Sequence, residues 1–448
     1  MTTKKPDGES ARRPPPARLL FRAARVLDPA TGLEETRDVY IEHGRLATPS
    51  TVLPPETDVI NAAGLYAVPG LIDLHVHLRQ PGAGGADEAA LAETVESGAR
   101  AAAAGGFTSI VAMPNTTPPT DTVRAVRGLL GLARSAGLTQ VLPSACLTKD
   151  RAGRRLANFV SLSGAGAVAF TDDGSTIEDD ALMRDAMRAA ASAGALVMDH
   201  AQDPAAERGG VMHEGTWSRR WGLPGIPSSA EAGAIERDMR LARETGARVH
   251  IQHLSTREGV EIVRAARARG LAVSAEVTPH HLALCDADVD PRNADFKMNP
   301  PVRSAADRDA LGAAVAEGII AAFATDHAPH RAERKATGFA EAPFGVIGLE
   351  TAVGVSYTAM VRSGRMSVLE WLRRWTTGPA AILRRPPPSM APGAPANIAL
   401  LDLETPWTVD PSGFASRSRN TPFRGWTLYG RPLCTVFGGR VVWDRIGL

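Results

Sequence analysis

The sequence predicts an α/β fold: a TIM-type (β/α)8 barrel with a small β-sandwich domain built from both chain ends. Three observations carry that expectation. Eight apolar β-type runs alternate with Ala-rich segments of helical period, Gly recurs where the helices should close, and both chain ends read as β without a helical period. Eight near-continuous apolar strands fit a closed parallel barrel better than an open doubly wound sheet, which usually has fewer.

From Leu19 to Ala62, LLFRAARVLD and DVYIEHGRLA are short β runs separated by turn residues. The barrel strands follow as LIDLHVHL, TSIVAMP, TQVLPSACL, AVAFTDD, ALVMDHA, RVHIQHLS, AVSAEVTPHH and IIAAFATDHAPH, with helices such as Ala181–Ala193 and Thr256–Ala268 between most of them. PPPSMAPGAP from Pro386 reads as a return linker, after which ANIALLDL, GWTLYG and CTVFGGRVVW restore the β pattern. The expected units are a disordered extension over 1–18, the barrel over 63–385, and the two parts of the sandwich over 19–62 and 386–448. The extension is rich in Lys, Arg and Pro and lacks the apolar core of a signal peptide.

Composition narrows the function. The 448 residues carry 50 Lys plus Arg against 49 Asp plus Glu, a net charge of +1, which gives no reason to expect a nucleic-acid or acidic-membrane partner. A small-molecule substrate is the expected partner. Cys146, Cys285 and Cys434 are scattered and form no CxxC, which argues against a disulfide framework or a thiolate zinc site and fits a reducing cytoplasm. No stretch reaches the roughly 18 uninterrupted apolar residues of a membrane span.

The chemistry-bearing residues fall at the C-terminal ends of the strands, the face on which barrels of this type place active sites. His75 and His77 end the first strand, and the period-two pleat points both imidazoles to one side, where they can chelate one ion. Asp172 and Asp173 end the fourth strand, His200 the fifth, His253 the sixth and Asp326 the eighth. A lone strand-end histidine is more often a hydrogen-bonded structural residue. Four imidazoles and two carboxylates at one end of one barrel are different, because burying them together without a cation would desolvate charge with no return. Imidazole plus carboxylate without thiolate suits zinc, with manganese or cobalt as substitutes. The residues alone leave Asp172 and Asp173 as alternatives.

GLIDLHVHLRQPG, AMPNTTPP, FTDDG, VHIQHLST, EVTPHH, NPPVR, ATDHAPH and SRNTPF together make the chain, over roughly Leu20 to Leu448, resemble the bacterial dihydroorotases of the amidohydrolase superfamily. HxH alone is shared across that superfamily; HxHLR before PG, DHAPH and the late SRNTPF are far more specific. The resemblance implies that His75, His77 and Asp326 hold one metal and that His200 and His253 hold a second, with Asp173, the second Asp of DDG, between them. Many relatives bridge two metals with a carboxylated lysine; FTDDG has aspartates there, and their shorter reach leaves one or two zinc ions per subunit open.

The implied reaction is reversible hydrolysis of L-dihydroorotate to N-carbamoyl-L-aspartate in pyrimidine biosynthesis, with metal-activated hydroxide as nucleophile and Asp326 as general acid/base. Arg79, two positions beyond His77, is expected to grip the ring carboxylate with its guanidinium fork. The resemblance adds Asn115, Asn299 and His330 as substrate-binding residues, and implies a homodimer and an aspartate carbamoyltransferase as a partner. His280 and His281 read as structural. The Gly-rich stretch after Arg79 is longer and less polar than this family's loop, and GFAEAPFGVIG has the composition of a mobile cover. Two other readings stand beside this one. Hydantoinases, dihydropyrimidinases and allantoinases mostly take rings without a carboxylate and would not need Arg79; a catalytically silent scaffold would have lost ligands that this chain retains.

Overall fold

The computed structural model describes residues 18–447, so the extension expected over 1–18 lies, apart from Arg18, outside the described residues. Eight strands form the barrel: Leu71–Val76, Phe107–Ala112, Gln140–Ala145, Ala169–Phe170, Leu196–Asp199, Arg248–Ile251, Val273–Val277 and Ala322–Phe323. They neighbour one another in chain order and every pair is parallel. The ring is drawn together where Val76 bridges His327 and the His77 N–H donates to the His327 carbonyl at 2.9 Å.

The alternation of side chains sorts the apolar residues into two cores. Ile72, Leu74, Val111, Met113, Leu142, Leu196, Met198 and Ala324 share one cluster inside the ring. Ile110, Val141, Val197, Val249, Ile251 and Phe323 point the other way, into the cluster made with the helices. The two helices expected from their period lie at Asp180–Ser192 and Arg257–Ala268, the second capped by Thr256, whose hydroxyl accepts the Gly259 N–H. Gly137 and Gly246 close their helices in the left-handed conformation, as a glycine at that position permits.

Strands from both chain ends meet in one small domain. Its sheet runs in space through Arg440–Asp444, Arg431–Phe437, Ile398–Asp402, Tyr66–Pro69, Arg18–Asp28, Leu33–Glu42 and Arg45–Ala47, with Thr57–Asn61 also paired to Arg18–Asp28. Phe21, Val26, Ile41, Ile398, Leu400 and Val436 bury its own apolar core.

Two boundaries shift. The sheet extends past residue 62, because Tyr66–Pro69 pairs antiparallel with Ile398–Leu401 before the first barrel strand begins at Leu71. The stretch 403–428, expected in the sandwich, leaves it: Val409, Phe414, Phe423 and Leu428 pack with Val211, Met298, Val346 and Val355 of the barrel. Those apolar side chains draw the SRNTPF segment over the strand ends that carry the site. Among the described residues no helix is long and apolar enough to cross a membrane.

Candidate active site

All six expected ligands are buried at the C-terminal end of the barrel. Asp173 sits among the four histidines: its carboxylate oxygens lie 3.3 Å from His75 Nε2, 3.5 Å from His77 Nε2, and 3.9 Å from both His200 Nδ1 and His253 Nε2. Asp326 faces the first-strand pair, with Oδ1 2.9 Å from His77 Nε2 and 3.6 Å from His75 Nε2. Asp172 is turned away. Its carboxylate accepts the Thr148 main-chain N–H at 3.1 Å and the Thr148 hydroxyl, so the first Asp of DDG holds the loop and the second enters the site.

The donor chemistry fits a divalent cation. His75, His77 and Asp326 form one set of ligand atoms lying within 4.8 Å of one another, and His75, Asp173 and His253 form another. His75 Nε2 and His253 Nδ1 are buried without a hydrogen-bond partner, an arrangement that leaves donor capacity for something other than protein. Burial disfavours a charged His75, yet Asp173 and Asp326 hold its pKa well above the usual histidine range. That negative field is the one a bound cation would meet. Burial likewise opposes a charged Asp173, but His75 and His77 keep it well below the ordinary carboxylate range. No thiol approaches the set, and the donors match those of zinc hydrolases.

Backbone conformation helps aim these groups. Arg79, His253 and Asp326 have φ of 58°, 32° and 46°, three of the nine non-glycine residues with positive φ among the described residues. Left-handed conformations cost such residues on the order of 1 kcal/mol or more, and their occurrence around one ligand set follows the usual pattern of functional sites. Arg79 therefore reaches the mouth by a left-handed turn; the strand pleat that places His75 ends at Val76. Its Nε donates to the Pro329 carbonyl at 3.2 Å, leaving both Nη groups without a protein partner among the described residues.

The other expected substrate residues divide. Asn299 lines a cavity of about 550 Å³ together with His200 and Arg151, and its Oδ1 is buried without a partner. His330 donates from Nε2 to the Phe344 carbonyl at 2.7 Å; burial and the nearby Arg79 charge push its pKa down to about 3, so the ring is neutral. Asn115 is drawn towards the ligands: Oδ1 lies 2.9 Å from His77 Nδ1, and Nδ2 donates to Asp173 at 3.3 Å. His281 is structural as expected, bridging Thr278 and the Pro300 carbonyl.

Five residues escaped sequence reasoning. Arg151 donates from Nη2 to the carbonyls of Asp172 and Asp173, pinning the turn that carries the ligand. Lys335 gives Nζ to the carbonyls of Lys297, Pro343 and Gly345, and Lys297 ties down Ala340, so the segment expected as a mobile cover is held at several points. Asn420 braces His330, and Glu276 lies behind His75. SRNTPF and EVTPHH flagged the last two as motif members, but nothing in either motif names a partner.

Comparison with known proteins places the chain in a family. A family model described as "Dihydro-orotase-like" matches residues 64–259. The chain is 46% identical to a dihydroorotase of Bacillus caldolyticus over 91% of this chain and 94% of that one. It is 45% identical to one of Pelotomaculum thermopropionicum, covering 96% and 99%, and 42% identical to one of Solibacter usitatus, covering 95% and 98%. Among solved structures it is similar to an L-hydantoinase (dihydropyrimidinase) of Arthrobacter aurescens, with a TM-score of 0.82, 24% identity, and 96% and 97% coverage. A dihydropyrimidinase of Brevibacillus agri gives 0.78, at 22% identity with 96% and 95% coverage. At that identity the solved structures speak to the fold, and the sequence relatives speak to the family.

Proposed function

The chain belongs to the dihydroorotase family of metal-dependent cyclic amidohydrolases, and from that premise we propose how its own residues divide the work of interconverting L-dihydroorotate and N-carbamoyl-L-aspartate. The carrying observation is the convergence of His75, His77, Asp173, His200, His253 and Asp326 on one buried point with Arg79 beside it. When bound there, a divalent ion supplies Lewis acidity, making water more acidic and a ring carbonyl more electrophilic.

Asp326 takes the proton from the attacking water and returns it to the amide nitrogen as the ring C–N bond breaks; in the closing direction the same carboxylate removes the proton from the carbamoyl nitrogen. A carboxylate suits both steps, since it accepts in one half-reaction and donates in the other. Arg79 binds the ring carboxylate through its two Nη groups, the planar fork that matches two oxygens. Asn299 accepts from the ring through its unpartnered Oδ1, and His330, neutral and oriented by Phe344, completes the polar wall. Asn115 steadies His77 and Asp173 and has a second amide hydrogen to offer the substrate.

Zinc as the ion, in one or two copies, belongs to the proposal, as do a homodimer, an aspartate carbamoyltransferase partner and a cytoplasmic setting. The setting is supported by three buried free thiols. The test is turnover of L-dihydroorotate and N-carbamoyl-L-aspartate by metal-quantified protein, beside hydantoin, dihydrouracil and an Asp326→Asn control. Selective turnover that disappears in the control is expected. Turnover confined to the uncharged rings would replace this reading with the hydantoinase one, and metal binding with no turnover at all would favour the scaffold.

A further inference from the structure

Below the ligand set, inside the barrel, Glu276, His75, His250 and Ser274 form a chain of polar side chains in contact. Glu276, on the seventh barrel strand, is fully buried, as are His75 and His250. Its Oε1 lies 2.9 Å from His75 Nδ1, its Oε2 lies 3.0 Å from His250 Nε2, and His250 Nδ1 in turn lies 2.8 Å from the Ser274 hydroxyl. A carboxylate in such a place costs several kcal/mol unless donors face both oxygens, and here two imidazoles do.

The geometry fixes a tautomer. With an imidazole nitrogen facing each of its oxygens, the carboxylate accepts from both, so His75 carries a proton at Nδ1 and Nε2, which has no protein hydrogen-bond partner, is the nitrogen left for a cation. Gln252 Nε2 also approaches His75 Nδ1, at 3.2 Å, but the charged acceptor at 2.9 Å determines where the proton lies. His77 is treated differently: its Nδ1 faces the neutral Asn115 amide oxygen. Of the two first-strand histidines, only His75 is backed by a charge, and a carboxylate behind a ligating imidazole raises its basicity and locks its orientation.

We propose that Glu276, itself held by His250 and Ser274, is a positioning residue that sets the His75 tautomer and the tightness with which the two-histidine side of the site holds its ion. This rests on the reading of the site as a metal centre, and the experiment separates the two. Zinc affinity is measured by competition with a chromogenic chelator for the full chain and for Glu276→Gln, which keeps the side-chain shape and removes the charge. The variant is expected to bind 10- to 100-fold more weakly, the usual effect of removing such an outer partner. If the unaltered protein binds no zinc, the metal reading itself falls. If it binds and Glu276→Gln matches it within twofold, the positioning role is overturned. A second measurement needs no variant: nitrogen-15 NMR of the histidine side chains in the metal-free protein. It should show His75 protonated at Nδ1, and protonation at Nε2 alone would sink the proposal even if Glu276→Gln fails to fold.

Discussion

Asn420 holds His330 from a distance of 90 positions in the chain: its Oδ1 accepts the His330 main-chain N–H at 3.3 Å, while its Nδ2 donates to the carbonyls of Ala328 at 3.2 Å and Gly345 at 3.0 Å. One amide thus ties the SRNTPF segment to the end of the eighth strand and to the segment that orients the His330 ring. Asn420→Ala would leave the His330 N–H and the Ala328 carbonyl without this partner, and the Gly345 carbonyl with Lys335 alone, at roughly 1–3 kcal/mol for each group left unsatisfied. We expect kcat/KM for dihydroorotate to fall about tenfold or more, with a lower melting temperature. Asn420→Asp should be no better, because a carboxylate cannot donate to the two carbonyls. Steady-state kinetics with either variant at unchanged kcat/KM would refute the bracing role.

Arg79 offers a sharper test of substrate choice. Its Nε is engaged by the Pro329 carbonyl, and its Nη groups, with no protein partner among the described residues, are free to pair with a carboxylate. Arg79→Ala should lower kcat/KM for dihydroorotate by roughly a hundredfold or more, since losing a charged hydrogen-bonding pair costs about 2–5 kcal/mol. Arg79→Lys should fall between, keeping charge without the bidentate geometry. Any trace turnover of dihydrouracil, which has no carboxylate, should be insensitive to both changes. Equal losses on the two substrates would mean that Arg79 acts on the fold and not on the carboxylate.

What the sequence could convey depends on the range of the interaction. The eight strands, and the residues proposed as ligands, can be read because pleat alternation and strand-end placement are local rules: His75 and His77 are two residues apart, and DDG, MDH, IQH and ATD each end an apolar run. The direction of Arg79 is not legible, because a left-handed arginine has no composition cue. Nor is the choice between Asp172 and Asp173, which turns on Thr148, 24 residues upstream. Glu276 sits in a run that otherwise reads as a buried strand, and only a tertiary neighbour, His75, explains a charge there. The departure of 403–428 from the end domain is invisible for a similar reason: Phe414 and Phe423 look like any β-region aromatics until Met298 and Val346 meet them.

Stability should carry a pH signature from Glu350. This buried carboxyl accepts the main-chain N–H groups of Ala415 and Ser416, yet burial raises its pKa from 4.5 to about 7. Between those values the folded chain binds a proton that the unfolded chain has released. The contribution therefore favours folding below about pH 4.5, shrinks as pH rises through the window, and is fully lost above about pH 7, a swing of at most about 3 kcal/mol. Glu350→Gln stays neutral throughout and should flatten this part of the profile, gaining relative stability at pH 8 over pH 5. Urea denaturation at the two pH values checks it; a slope unchanged by the substitution would assign it to other groups.

The two aspartates of FTDDG should separate cleanly on metal content. Asp173 lies within 3.9 Å of all four histidines, whereas both oxygens of Asp172 are taken by Thr148. Asp173→Ala removes the carboxylate shared by the site and leaves its imidazoles facing one another, so the purified protein should lose at least one ion and turnover with it. Asp172→Ala should keep its metal and lose stability by roughly 1–3 kcal/mol, since the Thr148 N–H and hydroxyl lose their buried acceptor. Stripping the unaltered protein with a chelator should lower its melting temperature, because an ion that binds only the folded chain stabilises it by about 4 kcal/mol at a thousandfold excess over its dissociation constant. Asp173→Ala should show little further loss on the same treatment, while Asp172→Ala should fall as far as the unaltered protein does. Metal analysis together with thermal melts of the three proteins distinguishes these outcomes, and full metal content in Asp173→Ala would remove that residue from the ligand set.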